Sequence, residues 1–350
     1  MGTKALISQE ETHLISLLRI AATLGVLLIH VNQRLPLPGL LGSIAGYGAD
    51  GVKCFFFLTG YLVMNSWQNR KSTKEYWKKR IARTLPIYYF FVLLFVLFRL
   101  DWMLKDVWSI PRALLMLQYW APPTVSYDYC SMDLLGVLAI FMTFYLVIPL
   151  LARWIHSLDG AFVLFWCVIA FRFGLDKVYH GLYDSFCPVD AVTTMSGYFG
   201  DAMPYFAAGV LTYYGKREQR KERLVLYLLF IAVCGMRYSF LNLETAGWIS
   251  LLIAILLCYP PKIGEFSSQW GWVHTIDRVF GMGVYLSQYW CFTAVDQLSS
   301  LYPLPSAVRL VLMLVLPYGA ALALHYAIEN PGAAVVNRAF ERFAKQKETL

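Results

Sequence analysis

The chain has 350 residues, of which 58% are hydrophobic and only 15% charged, and its mean hydropathy is +0.53. So little polar surface cannot close over a water-soluble core, which excludes a soluble globular protein and points to lipid. The formal net charge of +8 would suit nucleic acid in a soluble protein, but here the basic residues lie between hydrophobic runs rather than along a recognition face, so no nucleic-acid partner is expected.

The first apolar run covers 13–31. Lys4, Glu10 and Glu11 precede it and no small-residue cleavage site follows it, so it is predicted to be a retained helix and not a signal peptide. Further runs at 46–66, 84–99, 133–152, 161–178, 198–214, 224–241, 246–260, 279–297 and 306–328 predict an all-α, polytopic transmembrane bundle of about ten helices. No long polar stretch divides them, so residues 1–350 read as a single integral membrane domain with tails at 1–12 and 332–350. Placing the N-terminus in the cytoplasm puts 20 Lys and Arg on inner segments and 5 on outer ones. The inner clusters are Arg70 to Arg83 and Lys216 to Arg223. This asymmetry predicts that both termini are cytoplasmic. A crossing at Val107 to Trp120 would invert every later loop. That segment is short and contains Pro111 and Arg112, so it is expected to lie on the outer surface as an interfacial or re-entrant helix.

Seven cysteines are scattered without C-x-x-C spacing, which indicates neither a zinc site nor a disulfide framework, and no metal is expected. Only Cys130 and Cys187 fall in outer segments, where a bridge between them stays open.

Ionisable side chains inside a membrane are costly and point to function. The spans hold Arg19, His30, Lys53, Arg172, Arg237 and Arg309. Arg19 and His30 are eleven positions apart, hence roughly 20° apart around a helix and about 16 Å apart along it. They share one face. Neutral His is suited to take a proton from a hydroxyl, and Arg to hold a phosphate or carbonyl oxygen. The alternative is that Arg19 snorkels to the headgroups and His30 sits at the outer interface.

In the second span, Thr59-Gly60 inside the run Phe55-Phe56-Phe57-Leu58-Thr59-Gly60-Tyr61 offers a packing notch and a hydroxyl. After it, Arg80-Ile81-Ala82-Arg83-Thr84-Leu85-Pro86 leads into the third span at a proline suited to a first helical turn. Its basic residues signal topology or a cytoplasmic phosphate site. Outer carboxylates at Asp128, Asp133, Asp184 and Asp190 either orient a sugar or the His30 ring, or are simply solvated. Glu329-Asn330-Pro331 reads as a structural stop at a helix exit.

The Arg-x10-His stripe, the aromatic Thr-Gly-Tyr run, the Arg-x2-Arg-Thr-Leu-Pro element and the terminal Glu-Asn-Pro together resemble the integral-membrane acyltransferase-3 family, in order and spacing along nearly the whole chain. The resemblance implies about ten helices and transfer of an acetyl or other acyl group from an acyl-CoA to a hydroxyl of a cell-surface or secreted glycan. It implies catalytic roles for Arg19 and His30, donor contacts at Arg80, Arg83 and Thr59, and substrate contacts at Lys53, Gln288, Asp133 and Glu329. Acetyl-CoA or another acyl-CoA serves as co-substrate with no permanently bound cofactor. The expected setting is the bacterial cytoplasmic membrane. Two positions depart from the pattern. Thr59 stands where the family often has Ser, and Gln288 stands where many members have His after a Tyr-Leu pair, which removes a proton-transfer group there but keeps a hydrogen-bonding one. No esterase-like domain is expected after the tenth helix. A non-catalytic permease or flippase for a glycan or small anion, and a membrane sensing or delivery module, are the rival readings.

Overall fold

The computed structural model describes residues 7–98, 100, 109–117, 133–183, 185, 189–261 and 271–348, with backbone alone for 109, 133–134, 183, 189–198 and 343–348. Among the described residues every regular element is helical. Each of the ten apolar runs is met by a helix. Helices Gln9–Arg34, Thr73–Phe98, Leu135–Trp154, Leu158–Leu182 and Ser306–Arg342 are long and apolar enough to cross a membrane. The described residues are thus all-helical, and their long apolar helices suit a multi-pass membrane protein.

Helix α1 (Gln9–Arg34) starts where Ser8 caps the backbone N–H of Glu11 and two acids occupy the first turn, both favourable at the positive end of the helix dipole. It stops at Leu35, which the following Pro36 holds in an extended conformation (φ −135°, ψ 93°). Next come α2 (Gly39–Gly46), a 3₁₀ turn (Tyr47–Ala49) and α3 (Asp50–Gln68).

Helix α4 (Thr73–Phe98) begins well before Pro86, which therefore sits inside the helix and not in its first turn. Ser72 accepts from the Glu75 N–H at 3.1 Å. Ser72-Thr73-Lys74-Glu75 is a capping-box sequence, and it starts the helix upstream of the apolar run. Helix α5 (Ser109–Leu114) has only six residues, about 9 Å of rise, far short of a bilayer core. Tyr88 and Tyr89 of α4 donate to the Ala113 and Leu114 carbonyls at its end.

The later helices are α6 (Asp133–Trp154), α7 (Leu158–Tyr183), α8 (Val189–Arg217), α9 (Lys221–Arg237), α10 (Glu244–Cys258), α11 (Gly271–Leu301), α12 (Ser306–Leu324) and α13 (Asn330–Glu348). A π turn over His325–Glu329 joins the last two. Glu329-Asn330-Pro331 is thus not a stop. The widened turn relieves the hydrogen bonding that a proline cannot complete, and the helix runs on.

The chain divides into two compact units. The first comprises Met1–Phe55 and Ile255–Asn330. In it α1 and α11 run parallel: Ser16 meets His274, Arg19 meets Asp277, and Arg34 meets Asp296. Helix α12 returns antiparallel to α11, since Ser287 donates to the Pro317 carbonyl, Gly283 lies on Ala321, and Arg309 reaches back to Asp296. Leu27, Val31, Val284, Phe292, Val295 and Met313 fill the seam between them. The start of α1 and the end of α12 therefore lie at one end of this unit.

The second unit comprises Phe56–Ala254 and Pro331–Leu350. A Cβ on Gly60 would collide with the Phe206 carbonyl, and one on Gly209 with the Phe57 carbonyl. The Thr59-Gly60 notch is thus a backbone-to-backbone crossing of α3 and α8. Phe144 of α6 stacks on Phe206 at 4.0 Å between ring centres. Between α6, α7 and α8 lies a groove of about 330 Å³, lined by side chains such as Phe144, Leu151, Cys167 and Phe199 and almost wholly apolar.

Candidate functional site

The first unit gathers most of the candidate residues. The Arg19 guanidinium donates through Nη1 to Asp277 Oδ2 at 3.2 Å. Asp277 is 5% exposed and takes a second hydrogen bond from Ser16 Oγ at 3.3 Å. Ser16 Oγ also lies 3.3 Å from His274 Nδ1. The hydroxyl has one proton and gives it to the carboxylate, so His274 Nδ1–H is the donor in that contact. A relay His274, Ser16, Asp277, Arg19 results. Arg19 thus faces α11 and does not snorkel. Nη1 fixes the guanidinium and the side chain is only partly buried, so another of its donors remains to bind a ligand oxygen.

His30 lies on the same uninterrupted helix, partly buried and one turn from its end. Its Nδ1 is 2.8 Å from Gln33 Oε1. The amide oxygen only accepts, so Nδ1 carries the proton and the lone pair is on Nε2, the arrangement a general base needs. Just beyond, Asp296 lies between two guanidiniums, those of Arg34 and Arg309. This ionic triad ties α1, α11 and α12 together at the end where His30 sits.

The remaining expected residues distribute as follows. Lys53 is paired with Asp50 at 2.7 Å within the first turn of α3. Gln288 is 2% exposed and donates to the Tyr285 carbonyl at 3.0 Å. Glu329 is held by His325 Nδ1 at 2.8 Å across the π turn. In the second unit, Arg80 lies over the rings of Tyr76 and Tyr145, at 5.5 and 5.0 Å, and its Nε is buried without a partner. Arg83 is exposed and Thr59 partly buried. Lys78 and Lys79 of the same basic run are paired with Glu341 and Glu75. Asp133 is the first residue of α6, but its side chain, like that of Asp190, lies outside the described residues. So do Asp128, Asp184, Cys130 and Cys187. Cys54, Cys167, Cys234, Cys258 and Cys291 are not joined in disulfides.

Asp277, Ser16, His274 and Asp296 were not among the residues expected from sequence. Asp277 and His274 lie just before the apolar run at 279–297, on the first turns of a helix that begins at Gly271. Asp296 lies inside that run, and an acid there is the intramembrane signal that marks a paired or reacting group.

A family model described as an acyltransferase domain matches residues 13–326. No curated protein and no solved structure matches the chain.

Proposed function

Because the chain belongs to the integral-membrane acyltransferase-3 family, whose domain extends from α1 to the π turn, we propose that it is a membrane-embedded O-acyltransferase. It moves an acetyl or other short acyl group from an acyl-CoA to a hydroxyl of a cell-surface polysaccharide or lipid-linked glycan. The setting is a bacterial cytoplasmic membrane, with both termini inside.

The observation that carries this reading is the state of His30. Gln33 accepts its Nδ1–H and so leaves the Nε2 lone pair to take a proton. In the reaction, Nε2 takes the proton of the acceptor hydroxyl as its oxygen attacks the thioester carbonyl. The C–S bond then breaks, and the CoA thiolate recovers the proton from His30. One ester and one thiol form, and the site returns to its starting state. The thioester is already activated, so no acyl-enzyme is needed.

Arg19 is the donor-side contact. Tethered to Asp277 through Nη1 and only partly buried as a side chain, it offers a hydrogen bond to a donor phosphate or to the thioester carbonyl as charge develops there. Arg80 and Arg83, with Thr59, hold the CoA phosphates from the cytoplasmic side, where the basic run concentrates positive charge.

His30→Ala and Arg19→Ala test the reading in membranes given labelled acetyl-CoA. Loss of the base is expected to slow acyl transfer by about 10² to 10⁴. Full transfer by either variant at normal protein level overturns the role of that residue.

A further inference from the structure

Helices α1, α11 and α12 bring three charged side chains to one point at the His30 end of the first unit. Asp296 Oδ2 accepts from Arg34 Nη1, and its Oδ1 accepts from Arg309 Nη2 at 3.0 Å. Two guanidiniums share one carboxylate. The other charged residues in 30–55 and 290–309 are Asp50 and Lys53, and these two neutralise each other at 2.7 Å. One positive charge is therefore left over among the described residues of this end, on side chains that are only 26% to 32% exposed. Helix α12 adds to it. Its N-terminus opens at the same end, with no side-chain cap at Pro305 and no acid in the first turn. The positive end of a helix dipole favours an acid and leaves backbone N–H groups without partners, yet the first charged residue there is Arg309.

A tie between three helices needs one cation for one carboxylate, so packing alone does not explain the second guanidinium. The two are also held in place. Arg34 lies over the Tyr289 ring at 5.7 Å, and each guanidinium meets Asp296 through one terminal nitrogen, which leaves further N–H donors on both. Fixed donors of this kind bind an oxyanion with little ordering cost. Arg34 follows His30 by four positions on an unbroken helix, so the two side chains share a face about 6 Å apart along the axis.

We infer that Arg34 and Arg309 form a binding site for an oxyanion, a phosphate or a carboxylate, which the acyl acceptor carries within about one helical turn of the hydroxyl being acylated. The acceptor is then an acidic molecule, and its negative charge matches the one left over in the protein. Asp296 spaces the two guanidiniums and keeps the empty site from holding two uncompensated cations. The place of the reacting hydroxyl rests on His30 as the base. The anion site itself does not.

Thermal unfolding of the full chain in detergent tests the site directly. Coenzyme A is present throughout to fill the donor side, and sodium phosphate or sodium acetate replaces sodium chloride at pH 7 and constant ionic strength. At least one of the two oxyanions is expected to raise the unfolding temperature of the wild type above its value in chloride, phosphate alone pointing to a phosphate ester and acetate to a carboxylate. Arg309→Gln is expected to raise the half-saturating concentration about 10-fold or more. Asp296→Asn is expected to lower it, because both guanidiniums are released to the ligand. A triad that is only a tie gives a different pattern: both variants unfold earlier and keep the wild-type response to anions. That pattern overturns the inference, as does a wild type that responds to neither oxyanion. The second measurement is on label from ¹⁴C-acetyl-CoA in membrane vesicles of the expressing cells, which supply the acceptor. The labelled product is expected to bind an anion exchanger at pH 7, and a product that flows through overturns the acidic acceptor. The unfolding series involves no acyl transfer, so the two readings fail separately. Label undiminished in His30→Ala, or absent from the wild type, counts against the acyl-transfer reading, while the anion site still stands or falls on the unfolding series.

Discussion

Asp277 is the residue whose removal should cost most relative to its distance from any substrate. Its carboxylate neutralises Arg19 in a nearly buried position, and breaking one side of such a pair leaves a stranded charge. Asp277→Ala is therefore expected to lower stability by about 3 kcal/mol and to reduce acyl transfer with it. The double variant Arg19→Met with Asp277→Leu should recover the stability, because well-packed apolar groups replace buried ion pairs without loss, but not the transfer. Thermal unfolding and label incorporation, measured side by side, check both halves. Recovery of transfer in the double variant would show that the pair is only structural. Arg19 and His30 were legible in the sequence because a charge and an imidazole stand out in an apolar helix and their spacing fixes their phase. Asp277 was not legible, since its partner is 258 positions away and it precedes the apolar run. Asp296 is visible as an acid in that run, yet its role depends on Arg34 and Arg309 arriving from two other helices.

At the scale of elements, hydropathy located each apolar helix but placed the starts of α4, α8 and α11 too late, and the Asn-Pro pair was read as a stop where the helix continues. Helix α4 starts at a capping box that is polar and invisible to hydropathy, although Ser72 and Glu75 spell it out. The π turn at His325–Glu329 was hidden because Asn-Pro normally ends a helix, and only the widened hydrogen bonding lets α13 continue. The crossing of α3 and α8 was half legible: Gly60 marks a close approach, but Gly209, which it needs, sits in another helix. At both glycines the opposing atom is a backbone carbonyl, which cannot rotate away as a side chain could. Gly60→Val is thus expected to destabilise the protein by at least about 1–3 kcal/mol, read as a lower unfolding temperature in detergent. An unchanged temperature would mean that the helices part there without penalty.

For the whole molecule, the composition settles membrane residence, and the alternation of basic loops predicts which loops share a side. Single cysteines at Leu37, Gln219 and Tyr302 in a cysteine-free background test this with a membrane-impermeant maleimide applied to intact cells. Positions 37 and 302 follow α1 and α11 at the same end of the first unit and are expected to react, while position 219, in the basic turn between α8 and α9, is expected to be protected. Labelling of 219 together with 37 would invert the second half of the proposed topology. The parallel pairing of α1 with α11 imposes a parity on this count. Two helices that run in the same direction through a membrane require the intervening chain to cross it an odd number of times. The seven apolar runs between them, with the six-residue α5 left out, satisfy that requirement, whereas a crossing by α5 would break it. Deleting or inserting helices in pairs would leave Arg19 opposite Asp277, but a single added or lost crossing would turn α11 end for end and part them.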